Sequence, residues 1–366
     1  MKSPTPPPAL LQIIQHNCDV SDARDHGVYS MCTMVLKLRN LYKWENGLQP
    51  WQEPDAAELL DWIEAKENYW ATIGGEALFP LPLAGKTLDP FQLEEINGTL
   101  AETSLVYGAG FGRSMKTIFF LAEVVEKREI ESCPVIILDK EFAREMASPF
   151  AMVQDGLILI RKESLRFFLW DQIQEVRSSC RNSILQALRT YPVFKDGLLD
   201  QELLKTELDT IVEKEMNLFV YHEVGEILQT TLNSEALQMI VGHFPGTVIE
   251  HVGRAVKDLL ADTHPHGLLA YLTREQRESS LGFYLSFADG LRQRLFPEIM
   301  AAWPQFLADR DWQHVEQARI ACWDRNQALA EQIQAICSMI GNDSDELIMN
   351  RFNLQVLSPL GLAKPL

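Results

Sequence analysis

Apolar residues recur at helical spacing over most of the chain and crowd into short strand-like runs in one stretch. Residues 28–46 (VYSMCTMVLKLRNLYKWEN) carry the helical period and stop at Gly47. A second helix is predicted from about Pro54, a residue suited to a first helical turn, to Ile73, where Gly74-Gly75 ends it. Residues 78–91 hold three prolines and read as a loop, and Asp89-Pro90 opens a third helix running to Ala101. From Ser104 the pattern changes. LVYGAGFGR, MKTIFFLAEV, CPVIILD and GLILIRK are short runs rich in β-branched and aromatic residues, separated by Gly, Pro or charge. They predict the strands of a small sheet, with a helix over 140–147 between the last two. Helical periodicity then returns over 162–191, 202–232, 235–243, 246–262, 272–302 and 312–340. The expected fold is mainly α with a small β-sheet in the N-terminal half.

Punctuation places a domain boundary near residue 195, in YPVFKDGLLD. The expected organisation is a loose Pro-rich tail over 1–9, an α+β domain over 10–195, a helical domain over 196–345 and a C-terminal extension over 346–366. A length of 366 residues agrees with about two domains. Lys and Arg number 33 against 51 Asp and Glu, for a formal charge of −18, so a phosphate backbone is repelled and nucleic acid is not an expected partner. The six cysteines lack CxxC or other metal spacing and read as free thiols of a reducing cytoplasm. Apolar runs such as Ile118–Ala122 and Leu157–Ile160 are far shorter than the ~20 residues of a membrane span. The opening MKSPTPPPALLQIIQ has no signal-peptide core. The expected setting is cytoplasmic, without a membrane, and the partner is a small molecule or a protein.

The chemistry concentrates at Tyr221-His222-Glu223-Val224-Gly225-Glu226. At about 100° per residue, Glu215, His222 and Glu226 fall within about 40° of one another, and Gln229 and Asn233 continue the line. Val220, Val224, Ile227 and Leu228 lie opposite, and Leu218 and Phe219 flank the line. Carboxylates on so apolar a helix must be paired, protonated or bound to a cation. The helix over 246–262 offers a second line of His251, Asp258 and Asp262 beside Arg254. Facing helices of this kind build metal centres in bundles. In a mononuclear version His222 and Glu226 bind zinc and Glu223 is the general base on a bound water. HEVGE nevertheless has Glu226 where the HExxH pattern has its second His. In a dinuclear version Glu215, His222, Glu226, His251, Asp258 and Asp262 hold iron or manganese, although the Glu-x-x-His spacing of such bundles is missing. The competing reading makes the same residues internal salt bridges, including one to Arg254.

Other clusters have plainer readings. Gly108, Gly110 and Gly112 with Arg113 and Lys116 do not match GxGxxG and read as a hairpin turn. Gly85-Lys86-Thr87 lacks the upstream glycine of a phosphate loop, and His264-Pro265-His266 reads as a turn. No nucleotide or organic cofactor is expected. The polar segment from His16 to Tyr29 reads as a capping segment with Asp22 or Asp25 as N-cap; alternatively it is a strap whose Asp22, Arg24, His26 or Tyr29 reaches a pocket.

The segments NCDVSDARDHGVYSMC, LKLRNLYKWENGL, YHEVGE and RAVKDLLAD together resemble a family of uncharacterised bacterial proteins, a domain of unknown function, over roughly residues 10–305. The resemblance implies a bacterial, cytoplasmic protein and supplies no activity or cofactor. His222-Glu223-x-Gly225 is also similar to the start of zinc-metallopeptidase helices, over five residues. Two functions are therefore expected to compete. One is a metal-binding protein, in its sharpest form a metal-dependent hydrolase or a di-iron or di-manganese oxidoreductase. The other is a non-catalytic adaptor or scaffold that presents an apolar patch built from Trp44, Trp51, Trp62 and Trp70, although Trp62 and Trp70, at helical spacing, read more readily as core.

Overall fold

The computed structural model describes residues 5–112, 115–175, 180–288 and 290–363. It is mainly helical with a five-stranded sheet in the N-terminal half. The chain forms two compact units, Met1–Glu175 with Gln201–Met216, and Val176–Asp200 with Asn217–Leu366.

The first unit opens with helices α1 (Pro8–Asp25), α2 (Met31–Glu45) and α3 (Ala56–Ile73). A hairpin of β1 (Leu81–Leu83) and β2 (Lys86–Leu88) and helix α4 (Leu93–Leu100) follow. The strands are β3 (Leu105–Phe111), β4 (Thr117–Ile130), β5 (Cys133–Arg144), β6 (Ala151–Gln154) and β7 (Leu157–Arg161), and α5 (Lys162–Gln174) comes after them. The sheet order is β3-β4-β5-β7-β6, with β5 parallel to β7 and the other pairs antiparallel.

Several local expectations give way to tertiary packing. Pro8 starts α1 as a first-turn residue, so Pro8 and Ala9 at the end of the expected tail are helical, while residues 1–4 of it lie outside the described residues. The polar segment after His16 is the second half of that helix. Asp22 is therefore not an N-cap; Ser30 caps α2 and Asp55 caps α3. The proline-rich loop holds the β1–β2 hairpin, turned at Ala84-Gly85, both at positive φ. Residues 140–147 form no helix, because β5 runs on to Arg144. Bulges in its ladder with β4 let the segment Glu141–Arg144 pair with residues 120–122. There the backbone hydrogen bonds that a helix would have supplied come from a neighbouring strand. The expected helix over 162–191 ends at Gln174 as α5, and a separate α6 (Arg181–Leu188) belongs to the second unit.

Helix α1 joins the sheet through polar as well as apolar contacts. Cys18 Sγ donates to the Phe119 carbonyl at 3.1 Å and Ser21 Oγ to the Thr117 carbonyl at 2.5 Å. Buried Asp22 pairs with buried Lys116 at 2.5 Å and accepts the Met146 N–H at 2.8 Å. Leu10, Ile14 and Cys18 pack on Tyr107, Phe119 and Leu121, while Val20 and Ala23 pack with Leu38, Leu41 and Trp70. The expected tryptophan patch is not formed. Trp70 is core, Trp44 and Trp62 pack partly buried against the same cluster, and Trp51 meets Trp170 edge-on at 5.8 Å.

The second unit begins with α6 and a short hairpin of β8 (Phe194–Lys195) and β9 (Leu198–Leu199). Helix α7 (Gln201–Leu228) runs from the first unit into the second. The remaining helices are α8 (Ser234–His243), α9 (Val248–Thr263), α10 (Leu268–Arg274), α11 (Glu278–Phe287), α12 (Gly290–Leu295), α13 (Pro297–Asp309), α14 (Gln313–Cys337) and α15 (Asp345–Phe352). The single helix expected over 272–302 is broken into several. Gln276 at positive φ ends α10, and Pro297 starts α13. Among the described residues no two cysteines are joined by a disulfide, and no helix is long and apolar enough to cross a membrane.

The Asp22–Lys116 pair gives a stability test. Lys116→Met leaves a buried carboxylate without its cation and is expected to cost about 3–5 kcal/mol near neutral pH. Burial already pushes Asp22 up to about 6 against the pull of Lys116, so the loss should shrink in mild acid, where the carboxyl takes up a proton. Asp22→Asn combined with Lys116→Met removes both charges, keeps an acceptor for Met146, and should recover much of the loss in urea unfolding.

Candidate functional site

Of the residues that the sequence singles out, His222 and Glu223 on α7 meet Asp258 and Asp262 on α9 in the second unit at a close helix crossing. A Cβ on Gly225 would lie 2.0 Å from the Ala261 carbonyl oxygen, so only glycine lets α7 approach α9 this closely. His222 then reaches Asp262, with Nδ1 and Oδ1 2.6 Å apart. Burial favours the neutral imidazole, but the buried carboxylate outweighs it and pushes His222 up to about 10. This is a charged pair, with the proton on the ring.

The other candidates also face protein partners. Lys257 Nζ donates to Glu226 Oε1 at 2.7 Å and, against burial, holds that carboxyl below the usual range. Asp258 pairs with Arg292. Glu223 is buried; burial, then Glu226 and Asp258, push it up to about 7 against the pull of His222. His251 is exposed, and Arg254 pairs with Glu250 at 2.8 Å. Glu215 is fully buried on the part of α7 that belongs to the first unit. Gln229 and Asn233 end the polar line as terminators: Gln229 bonds Leu232, and Asn233 caps α8. Among the described residues no three His, Cys, Asp or Glu side chains stand where one metal ion could bind.

The first unit contains a cleft of about 410 Å³ that no motif announced. It lies against α2, the end of β5 with the loop that follows, and α5. Its volume is within the range of small-molecule sites. Phe167, Phe168 and Phe150 supply an aromatic wall, with the rings of Phe150 and Phe168 4.4 Å apart. Asp171 and Glu175 lie at the cleft, but Arg39 pairs with both, at 2.9 and 3.4 Å, and Asn40 donates to Asp171 at 2.6 Å. Lys37 donates to the Ala147 carbonyl at 2.9 Å and lies 5.3 Å from the Tyr29 ring centre.

Beneath the cleft lies a buried ionic cluster. Arg161 grips Glu141 with two bonds, 2.9 and 3.0 Å, and Ser164 donates to the same carboxylate at 2.7 Å. Arg161 also reaches Glu145 at 3.4 Å, and Glu145 accepts the Ser148 N–H at 2.8 Å. Burial would raise Glu141, but Arg161 and Arg144 hold it below its ordinary value. Glu163, beside Glu141, is pushed up to about 7 by burial and by that neighbouring carboxylate.

Arg144 belongs to the cleft wall and is 2% exposed. Its guanidinium carbon lies over the Trp44 and the Phe167 ring, 5.1 and 5.6 Å from their centres. Its one polar side-chain contact among the described residues is Glu141 at 3.5 Å, and Arg144 Nε has no hydrogen-bond partner. Asn40 Oδ1, also on the wall, is buried and unpaired.

The remaining sequence candidates are structural. Gly108 makes room for Phe120, whose ring carbons would lie 2.1 Å from an added Cβ, and Lys116 pairs with Asp22. Arg113 lies outside the described residues. Gly85-Lys86-Thr87 falls in the β1–β2 hairpin, and His264 accepts the His266 N–H in the turn after α9. Arg24 bonds the Gly74 and Glu76 carbonyls of its own unit, and His26 stacks on Trp70 at 5.7 Å. Lys37, Asn40 and Arg144 were missed because each sits in an ordinary amphipathic or charged run. A signal was present at Asp139, Glu141, Ala143 and Glu145. That period-two series directly follows an apolar strand, and a buried strand carrying charge needs internal partners.

The sequence matches the family of unknown function DUF6866 twice, its N-terminal domain over residues 9–161 and its C-terminal domain over residues 166–355, and the chain belongs to that family. No curated protein and no solved structure is detectably similar to it.

The His222–Asp262 pair has a pH signature. The folded-state value of His222 is raised above 6.5, so the pair's contribution is fully present below that pH. It is lost as pH rises through about 10. The urea midpoint of His222→Ala should therefore fall furthest below that of the parent protein near pH 6, and the two should converge in alkaline buffer.

Proposed function

We propose that this member of the DUF6866 family binds a small organic molecule in the cleft formed by α2, the end of β5 and α5. One observation carries the reading: the cleft wall holds buried polar atoms, Arg144 Nε and Asn40 Oδ1, that no protein group satisfies. Buried polar groups are nearly always paired, and one left unpaired costs about 1–3 kcal/mol. A ligand that bonds them offsets that cost on binding. The aromatic wall adds apolar surface for the body of the ligand, and the carboxylates at the cleft are already engaged by Arg39 and Asn40.

Binding is tested by thermal denaturation against a panel of neutral, anionic and cationic small molecules. A ligand at one hundred times its Kd stabilises the folded chain by about 2.7 kcal/mol. Ser148→Trp, which fills the cleft, should abolish the shift without lowering the melting temperature of the free protein to the same extent. A shift that survives Ser148→Trp would place binding elsewhere.

In the helical unit the salt-bridge reading is favoured by the partners of the acids. A zinc, iron or manganese centre would require His222, Glu226 and Asp258 to leave Asp262, Lys257 and Arg292. Elemental analysis of purified protein should therefore find metal well below one per chain, and Glu226→Ala should leave that content unchanged. About one zinc per chain, lost in both His222→Ala and Glu226→Ala, would restore the hydrolytic reading, with Glu223 as its base. About two iron or manganese would restore the dinuclear one.

A further inference from the structure

We infer that the ligand of the first unit's cleft is a monocarboxylate with an apolar or aromatic body, its carboxylate held by Arg144. The inference rests on the cleft being a binding site and adds the chemical class of what enters it.

The guanidinium supplies the first argument. A side chain 2% exposed, with one marginal ionic contact and an unbonded Nε, is an unusual state for the residue type that most demands partners. Glu141 cannot take up the demand, because two bonds from Arg161 and one from Ser164 already occupy it. The Trp44 and Phe167 rings beside the guanidinium offer it no oxygen acceptor. A guanidinium edge matches a carboxylate with two parallel bonds.

The lining supplies the second. The fully buried charges near the cleft balance at three cations, Lys116, Arg144 and Arg161, against three carboxylates, Asp22, Glu141 and Glu145, so no cationic surplus draws a multiply charged anion. The aromatic wall of Phe150, Phe167 and Phe168 then selects an acid with an apolar body over acetate or a free inorganic ion.

The probes are phenylacetate, its neutral counterpart phenylacetamide, benzylamine and inorganic phosphate, measured by titration calorimetry on the full chain. Phenylacetate should bind at least about tenfold tighter than phenylacetamide and than phosphate, and benzylamine should not bind. Arg144→Met should lose about tenfold or more for phenylacetate and little for phenylacetamide. Arg144→Lys keeps the charge without the fork, and an intermediate affinity is expected. The comparison of acid with amide needs only the parent protein, so it stands even if Arg144→Met fails to fold. Amide or amine binding as well as the acid overturns the carboxylate inference and leaves the binding cleft intact. Phosphate binding as tightly as phenylacetate also overturns it. If none of the four binds and no small molecule in the thermal panel does, both readings fall together.

Discussion

The bidentate pair of Glu141 with Arg161 is the constraint on which the first unit's cleft depends. Both side chains are fully buried, and each would be intolerable there without the other. Their pairing ties β5 to β7, and Ser164 adds the start of α5 to the same carboxylate. The cluster therefore adds side-chain bonds to the parallel β5–β7 ladder and ties the start of α5 to it. It also decides the state of Arg144. With Glu141 engaged by Arg161 and Ser164, the second arginine of the cluster is left at 3.5 Å from it, on the cleft wall, with its Nε unbonded. That unbonded donor is thus a by-product of how the β5–β7 junction is held.

The helical unit resolves a similar problem in the opposite sense. Its charged residues are matched pairwise, His222 with Asp262, Glu226 with Lys257, Asp258 with Arg292. Gly225 is the condition for this, since any side chain there would push α7 off the Ala261 carbonyl and separate the first of these pairs. The sequence HEVGE therefore owes its glycine to packing. The same five residues that resemble a metallopeptidase helix are explained by one close crossing and two ion pairs, and Glu223 among them has a value raised first by burial and then by the carboxylates of Glu226 and Asp258.

Which elements were legible follows from where their hydrogen bonds and burial come from. Helices α2 and α3 were visible because their apolar period and local caps, Ser30 and Asp55, agree. So were α9, with its strong two-sided pattern, and the strands built from TIFFLAEV and LILIR. Residues 140–147 were not, because Asp-Lys-Glu-Phe-Ala-Arg-Glu has good helical propensity and becomes strand only when β4 and its bulges offer a ladder. The polar half of α1 misled for a related reason. Asn17, Ser21 and Asp22 read as a surface cap, but their partners, at Phe79, Thr117 and Lys116, lie 62 to 96 residues away.

By itself the sequence determined the fold class, the helical character of the C-terminal half, and the line of His and carboxylates on α7, because all of these depend on periodicity, composition or spacing along one element. Only the tertiary structure decided which charge meets which. Asp262 selects His222, Lys257 selects Glu226, and Arg161 takes Glu141 and leaves Arg144 to the cleft. Electrostatic partnership falls off over a few ångströms and is strongest where water is excluded, so residues far apart along the chain become partners only when folding brings them into contact in a dry interior.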